Sequence, residues 1–150
     1  MVKGTVKNKN NEPLEQVKVE LKDRNFDTKI MCETDANGYF EFKEQGGVYP
    51  FLTAVKEYNE NYLEFWGLHV DLSKDITFDI KIGKNEIYGT NVMCVSGAPY
   101  PLFVFFRPMD LKKCLKGCSD ITPAIAKESI SVRVDGRETE IFSLGVCAQR

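Results

Sequence analysis

Histidine is almost absent from this sequence: a single copy, His69, occurs in 150 residues. Because imidazole is the commonest general base and a frequent zinc ligand, one copy leaves little room for hydrolytic or metal chemistry. There is also no Gly-x-Ser-x-Gly elbow, no glycine-rich phosphate loop and no dinucleotide fingerprint. We therefore expect a protein that is not an enzyme, with no catalytic residues, no cofactor and a surface or structural role for His69.

A charge bias and long apolar runs are also missing. Acidic and basic residues are interleaved and the net charge is −2, so no basic stripe could neutralise nucleic-acid phosphates. No stretch approaches the roughly 20 apolar residues of a membrane span, and no signal-like segment precedes the first strand pattern. We expect no nucleic-acid or membrane partner. If Met1 is the natural start, the protein is expected in the cytoplasm; a trimmed chain leaves a secreted or surface location open.

The cysteines show no paired spacing, and their number is odd: Cys32, Cys94, Cys114, Cys118 and Cys147. A disulfide framework favours an even count, so we expect reduced thiols that are mostly buried as small apolar side chains. Cys114 and Cys118 lie four apart, and a zinc site with His69 or Cys147 can be drawn. Packing of the two thiols in the core is the favoured interpretation, and no metal site is predicted.

Alternating apolar and polar residues predict an all-β fold. Val17, Val19 and Leu21 share one face of a strand, because side chains alternate with period two. Seven segments are predicted as strands: 2–7, 16–22, 29–33, 39–43, 48–55, 62–72 and 76–82. The segment 62–72 also fits helical spacing, but Gly67 favours a strand with Trp66, Leu68, Val70 and Leu72 on one face. Seven strands and short turns are enough for a β-sandwich.

The tight turn Thr34-Asp35-Ala36-Asn37-Gly38 separates two of these strands. Asp can hydrogen-bond its own downstream backbone, and Asn and Gly tolerate left-handed conformations. Asp35 and Asn37 could suggest calcium, but the loop lacks the further acidic ligands of an EF-hand. We predict a turn and not a metal site.

Residues 84–150 are predicted as a smaller β-rich part that can pack on residues 1–83 as one unit. Strands are expected over 86–95 and 101–107, with a turn at 96–99. A short helix is expected over 110–117, from the N-cap Asp110 to Gly117. Its predicted apolar face is Leu111, Cys114, Leu115 and Cys118. The dipeptide Asp135-Gly136 predicts a hairpin between 129–134 and 138–144.

The N-terminal motifs resemble those of carboxypeptidase-regulatory-like domains. The resemblance lies in Gly4-x-Val6, Pro13-Leu14, Val17-x-Val19-x-Leu21, Thr34-Asp35-x-Asn37-Gly38-x-Phe40-x-Phe42 and Gly47-x-Tyr49. It covers about residues 2–56 and is compatible with the strands up to 82. The resemblance implies a transthyretin-like or Ig-like β-sandwich. It implies an accessory domain for folding, adhesion or sugar binding and not a catalytic one, although function has to be argued from a site.

The candidate ligand-binding segment is rich in aromatic and amide side chains: Tyr58, Asn59, Asn61, Tyr62, Phe65 and Trp66. Flat rings stack on sugar faces, while amides bind hydroxyls, so one hypothesis is a non-catalytic carbohydrate-binding module. The competing interpretation places Phe65 and Trp66 in the core. A second aromatic set is also assigned to the core: Tyr88, Tyr100, Phe103, Phe105 and Phe106. The alternative function is a structural or protein-interaction protein that assembles through β edges or an apolar patch, with a homo-oligomer as one outcome.

Overall fold

Seven strands in the first 82 residues form two β-sheets. The computed structural model describes residues 1–43, 46–97 and 102–146. The strands are β1 (Val2–Asn8), β2 (Lys18–Lys22), β3 (Thr28–Glu33), β4 (Tyr39–Phe42), β5 (Val48–Val55), β6 (Phe65–Asp71) and β7 (Ile76–Ile82). One sheet has the order β4-β1-β7 and the other the order β3-β2-β5-β6. The all-β prediction is confirmed, and each of the seven predicted strands is present, β5 and β7 with the predicted ends and the other five with shifted ends.

The strand β1 lies at the centre of the three-stranded sheet. It pairs antiparallel with β4 and parallel with β7, from Val2 opposite Ile76 to Asn8 opposite Ile82. The neighbours of β2 and β5 in the four-stranded sheet are all antiparallel. Because β1 and β7 run in the same direction, the two strands end at the same edge of the sheet.

The two sheets share one hydrophobic core. In β1, the alternate residues Val2 and Val6 are fully buried, whereas Lys3 is exposed, as the period-two pattern predicts. The other buried side chains of the cluster come from both sheets and one turn: Leu14, Val17, Val19, Leu21, Phe40, Phe42, Leu52, Ala54, Val70, Leu72, Ile80 and Ile82. Full burial of one such side chain contributes about 1.5–3 kcal/mol, so this cluster is the main source of stability.

The predicted turn at 34–38 is confirmed. The carboxylate of Asp35 accepts hydrogen bonds from the backbone N–H groups of Asn37 and Tyr39, both at 2.9 Å. Gly38 has a φ of 71°, which a residue without Cβ adopts readily. Thr34 is buried and donates its hydroxyl to the Leu14 carbonyl at 2.6 Å. These side-chain bonds satisfy backbone groups that the sheet ladders leave unpaired.

The predicted face of the strand β6 is wrong in part. Gly67 and Val70 are buried, whereas Leu68 is 44% exposed. The reason is a local irregularity at His69, which is exposed and has a φ of 55°. Leu68 pairs with Phe51 and Val70 with Tyr49. Between these two pairs the alternation of buried and exposed side chains changes phase, so Leu68 and Val70 lie on opposite faces of the sheet. Trp66 consequently lies on the outer face of the sheet and not in the core between the sheets.

The remaining elements lie after residue 84. A long antiparallel ribbon consists of β8 (Asn85–Cys94) and β9 (Leu102–Asp110), and a short helix α1 (Leu111–Leu115) follows. The hairpin predicted at Asp135-Gly136 is confirmed as β10 (Val132–Val134) and β11 (Arg137–Thr139), which are shorter than expected. The predicted turn at 96–99 lies partly outside the described residues. The division of the chain at residue 83 stays a prediction.

The predictions for the helix are confirmed at its ends and wrong for its apolar face. Asp110 caps the helix by accepting a hydrogen bond from the Lys112 N–H at 2.8 Å, and Gly117 has a φ of 70°. Only Leu111 of the predicted face is buried; Leu115 is 58% exposed, and Cys114 and Cys118 are exposed. A five-residue helix offers little more than one turn, so it cannot present a stripe to the core.

The prediction of mostly buried cysteines is also wrong within the described residues. Cys94, Cys114 and Cys118 are exposed and Cys32 is half-buried, while Cys147 lies outside the described part. Three of the four lie in β8, in α1 and in the segment after α1, which contribute nothing to the core cluster. No helix in the described ranges is both long and apolar enough to span a bilayer.

Gly4 generates a stability prediction. It lies in β1 between Phe40 and Phe78, and a Cβ at this position would overlap the carbonyl oxygen of Phe78. We expect Gly4→Ala to lower the free energy of unfolding by about 3 kcal/mol, because β1 cannot move without opening the sheet. Urea unfolding measures this change. Gly145→Ala is the control, since a Cβ there meets open space, and an equal loss in both variants would contradict the prediction.

Candidate functional site

An open cleft of about 210 Å³ lies at the edge where β1 and β7 end. Three segments meet there: the turn after β1, the loop between β5 and β6, and the residues that follow β7. The lining residues are Asn8, Lys9, Asn10, Glu57, Asn61, Tyr62, Ile82, Gly83 and Lys84. The cleft therefore combines amide, ammonium and carboxylate groups with one aromatic ring.

The turn after β1 is held by the side chain of Asn8. Its Oδ1 accepts hydrogen bonds from the N–H groups of Asn10 and Glu12, at 2.9 and 3.1 Å. Its Nδ2 donates to the Glu12 carboxylate at 2.6 Å. Asn8 thus shapes the wall of the cleft, whereas Asn10 contributes only its backbone N–H to this network. The side-chain amide of Asn10 makes none of these hydrogen bonds and remains available to a ligand.

The loop between β5 and β6 turns around the backbone carbonyl of Glu57, a residue with a φ of 44°. That carbonyl accepts hydrogen bonds from the N–H groups of Glu60 and Asn61, both at 3.1 Å. The Asn61 amide donates to the Glu57 carboxylate at 2.7 Å, which leaves its Oδ1 free of this bond. The Leu63 N–H donates to the Gly83 carbonyl at 2.8 Å and ties the loop to the end of β7.

The six predicted ligand-binding residues do not form one surface. Asn61 and Tyr62 line the cleft, and Tyr62 also packs against the core. Tyr58 is 54% exposed, and the Oδ1 of Asn59 accepts a hydrogen bond from the Cys114 thiol at 3.7 Å. Phe65 packs against the core, as the competing interpretation expects, and Trp66 lies on the opposite face of the same strand.

Trp66 is the centre of an aromatic cluster on the outer face of the four-stranded sheet. Phe26, from the loop between β2 and β3, stacks on it with ring centroids 4.9 Å apart and planes at 24°. Phe51 and Tyr88 meet it edge-on at 5.7 and 6.0 Å. Trp66 is half-buried. The Phe26 ring occupies one face of the indole, so that face is not free to stack on a sugar.

A polar network lies beside this cluster on β2, β3 and β5. The Lys22 ammonium contacts the Glu20 carboxylate at 2.9 Å and the Thr28 hydroxyl at 2.8 Å. The hydroxyl of the buried Thr53 donates to Glu20 at 3.3 Å. Burial raises the pKa of Glu20, but the hydrogen bonds from Lys22 and the two threonines outweigh it, so the pKa is lowered. Lys22 also lies 4.8 Å from the Phe26 ring centroid.

Three ionisable groups with raised pKa values lie where β8 meets the sheet. Burial raises the pKa of Glu86 to about 7, against weaker lowering by backbone hydrogen bonds from Ile87 and Gly83. Burial also raises the pKa of Glu64, opposed by an interaction of its carboxyl with Trp66. Burial is the main cause of the raised pKa of Tyr88, whose phenol stays protonated and accepts the Glu64 N–H at 3.1 Å.

The buried indole Nε1 of Trp66 has no hydrogen-bond partner at bonding geometry among the described residues. The interaction with Glu64 lowers the pKa of that carboxyl without meeting this geometry. A buried donor without a well-placed acceptor costs roughly 1–3 kcal/mol, which the surrounding ring contacts have to offset.

The assignment of the second aromatic set to the core is wrong. Phe103 and Phe105 of β9 are 59% and 42% exposed, and Phe106 is half-buried. Tyr88 is half-buried against Trp66, outside the core between the sheets, and Tyr100 lies outside the described residues. No residue of β8 or β9 belongs to the core cluster between the two sheets.

Reasoning from the sequence missed several residues that the fold brings to the cleft and to the aromatic cluster. Asn8 and Asn10 read only as turn residues, and Lys84 as part of a boundary. Phe26 stands alone in a polar loop, and no local spacing relates it to Trp66. A group of three or more histidine, cysteine or acidic side chains that could hold a metal is not found within the described ranges.

Comparison with known proteins adds little to this description. No family model matches the chain, and no curated protein matches it. One crystal structure that resembles it is that of a protein from Bacteroides uniformis that is proposed to bind carbohydrate. The two chains are 13% identical with a TM-score of 0.42, over 75% of this chain and 53% of that one. The chain therefore matches about half the length of that protein.

This similarity establishes neither a shared fold nor a shared function. The β-rich fold is shown by the strands themselves, and membership of the carboxypeptidase-regulatory-like family stays a prediction.

The single tryptophan allows a direct test of the aromatic cluster. We expect Phe26→Ala to expose the indole, shift its fluorescence emission to longer wavelength and lower stability by about 1 kcal/mol, because a stacked ring is lost. Tyr39→Ala, an exposed aromatic in β4, is the control and should leave the emission unchanged. Unchanged emission in Phe26→Ala would contradict the stacked arrangement.

Glu86 predicts a pH-dependent stability. Its pKa is about 7 in the folded chain and 4.5 in the unfolded chain, so the folded state binds the proton more tightly. Its contribution is therefore complete below about pH 4.5 and is lost as the pH rises through 7. We expect Glu86→Gln to be more stable than the wild type at pH 8 by up to about 3 kcal/mol, at about 1.4 kcal/mol per pKa unit.

Urea unfolding of both proteins between pH 5 and pH 8 measures the difference between their free energies of unfolding. Groups that titrate alike in the two proteins cancel in this difference, so its pH dependence reports on Glu86. Glu33→Gln, at an exposed carboxylate of β3, is the matched control. A constant difference between Glu86→Gln and the wild type across this range would show that Glu86 ionises normally.

Proposed function

We propose that this chain is a non-catalytic binding module and that its cleft takes a carbohydrate. The observation that carries the proposal is the meeting of Asn61 and Tyr62 with Asn10 and Lys84 in one open cleft. Sugars present hydroxyl groups that need donors and acceptors, together with CH-rich faces that pack on aromatic rings. The amide, ammonium, carboxylate and phenol groups of the cleft meet both needs.

The dimensions of the cleft suit a small part of a glycan. Sites for drug-sized ligands occupy about 300–1,000 Å³, so about 210 Å³ corresponds to roughly one sugar ring. Because the cleft is open, the rest of a longer glycan could leave it without a clash. The lining holds two ammonium groups, Lys9 and Lys84, and one carboxylate, Glu57, which favours a sugar that carries a carboxylate or sulfate.

The aromatic contribution differs from the one expected from the sequence. Trp66 is stacked under Phe26, so the ring at the cleft is that of Tyr62, with the exposed Tyr58 in the same loop. The resemblance of residues 2–56 to carboxypeptidase-regulatory-like domains, some of which bind sugars, supports the same proposal. The proposal assigns a catalytic role to no residue of the cleft.

A glycan array with neutral, uronic-acid and sulfated glycans tests the proposal, followed by titration calorimetry with the best glycan of the array. We expect binding to an acidic glycan that Asn10→Ala and Lys84→Ala each weaken about tenfold, through the loss of a hydrogen bond or an ion contact. Tyr62 is not chosen for truncation, because it packs against the core.

Asn91→Ala is the matched control for Asn10→Ala, because it removes an exposed amide from β8 that is not among the residues lining the cleft. It should bind as the wild type does. The carbohydrate proposal fails if no glycan binds, or if Asn91→Ala and Asn10→Ala reduce binding equally.

A second candidate function is assembly with another polypeptide. The observation that favours it is the exposed apolar surface of the β8–β9 ribbon, where eight large apolar side chains are 39–59% exposed: Ile87, Val92, Met93, Val95, Leu102, Phe103, Val104 and Phe105. Contiguous apolar surface of this kind marks an interaction site more often than a free surface.

A further inference from the structure

Most of the β8–β9 ribbon, from Ile87 to Phe106, lies in the longest stretch of this chain without charge. From Ile87 to Phe106, 20 residues contain no Asp, Glu, Lys or Arg, in a chain with 28% charged residues. The next longest uncharged stretch, 45–55, has eleven residues. A protein surface usually mixes both charges, so an uncharged exposed ribbon is expected to be covered in the working protein.

Both faces of the ribbon are apolar. Cross-strand pairing places Met93 beside Phe103 and Val92 beside Val104. Directly paired residues share a face, so Phe103 and Phe105 lie on one face and Leu102 and Val104 on the other. All four are 39–59% exposed. The base of the ribbon, in contrast, packs on the sandwich through the contact between Tyr88 and Trp66.

The two edges of the ribbon differ. Within the described ranges, β8 and β9 pair only with each other, so each has one free edge. The strand β8 is interrupted by a bulge between Tyr88 and Asn91, where Gly89 has a φ of 60°. The segment 102–106 of β9 has no bulge, no proline and no charge. Natural edge strands are usually protected by one of these features, so this edge is open to another strand.

We propose that the edge of β9 pairs antiparallel with β9 of a second copy of this chain. Centring the pairing on Val104 puts Val104 opposite its own copy and Phe103 opposite Phe105 of the other copy. The same patch then serves both copies, as a two-fold interface requires, and aromatic pairs form across the strands. The proposal rests on the second candidate function above, for which it names the partner, and does not depend on carbohydrate binding.

Charge and edge geometry favour a second copy as the occupant. The partner strand has to be uncharged and has to offer a free edge, and the segment 102–106 of β9 itself meets both conditions. In this pairing the exposed side chains Leu102, Phe103, Val104 and Phe105 of one copy lie beside the same side chains of the other.

Sedimentation equilibrium over a range of concentrations tests the proposal. We expect the wild type to reach twice the chain mass of 17.1 kDa. Val104→Lys puts two ammonium groups opposite each other at the axis and should raise the dimer dissociation constant at least tenfold. Ile87→Lys is the matched control, because it adds the same charge at a 54% exposed position on β8 and should still form the dimer.

Cross-linking checks the register independently of folding defects in the lysine variant. Facing residues of an antiparallel pair have Cα atoms about 4.5–5.5 Å apart, within the reach of a disulfide. In a chain with its native cysteines replaced by serine, Val104→Cys should form a covalent dimer under air oxidation with copper–phenanthroline. Ile87→Cys should not.

Several outcomes would overturn the proposal. They are a wild type that stays monomeric, a dimer that Val104→Lys and Ile87→Lys affect alike, and cross-linking at both positions or at neither. A monomer that binds phosphatidylcholine vesicles through the ribbon would assign the apolar surface to lipid instead. None of these outcomes affects the glycan experiment, so the two proposals fail separately.

Discussion

The parallel pairing of β1 with β7 is the constraint on which the rest of the structure depends. It joins residues 74 positions apart, from Val2 opposite Ile76 to Asn8 opposite Ile82, and it closes the three-stranded sheet over the core. Gly4 is required because no Cβ fits against the Phe78 carbonyl. Since parallel strands end at one edge, the same pairing brings the turn after β1 beside Gly83 and Lys84. The cleft is a direct consequence of this pairing.

The outer face of the four-stranded sheet connects the sandwich to the ribbon. Trp66 lies between Phe26 and Tyr88, and the Tyr88 hydroxyl accepts the N–H of Glu64. Glu86 is also buried at the base of β8, and this burial raises its pKa to about 7. The base of the ribbon is thus anchored by aromatic packing, while its outer part has the exposed apolar faces that favour assembly.

The fold could be predicted well from local patterns, because a half-buried strand repeats every two residues whatever its partners are. Val17, Val19 and Leu21 are buried as expected, and the Asp35 and Asp135-Gly136 turns form where their side chains and positive φ angles require. The same reasoning was wrong for Leu68, because the irregularity at His69 reverses the alternation. It was also wrong for Phe103 and Phe105, because hydrophobicity alone does not show whether another sheet covers a strand.

The sequence by itself therefore determined the strands, the tight turns, the helix cap and the absence of a recognisable catalytic motif, all of which depend on neighbours within a few residues. Only the tertiary structure decided which side chains meet. It placed Asn61 and Tyr62 in a cleft with Asn8 and Asn10, covered Trp66 with Phe26, and left the ribbon uncovered. The physical reason is that these contacts join segments tens of residues apart, and strand pairing, which sets them, leaves no local periodicity to detect.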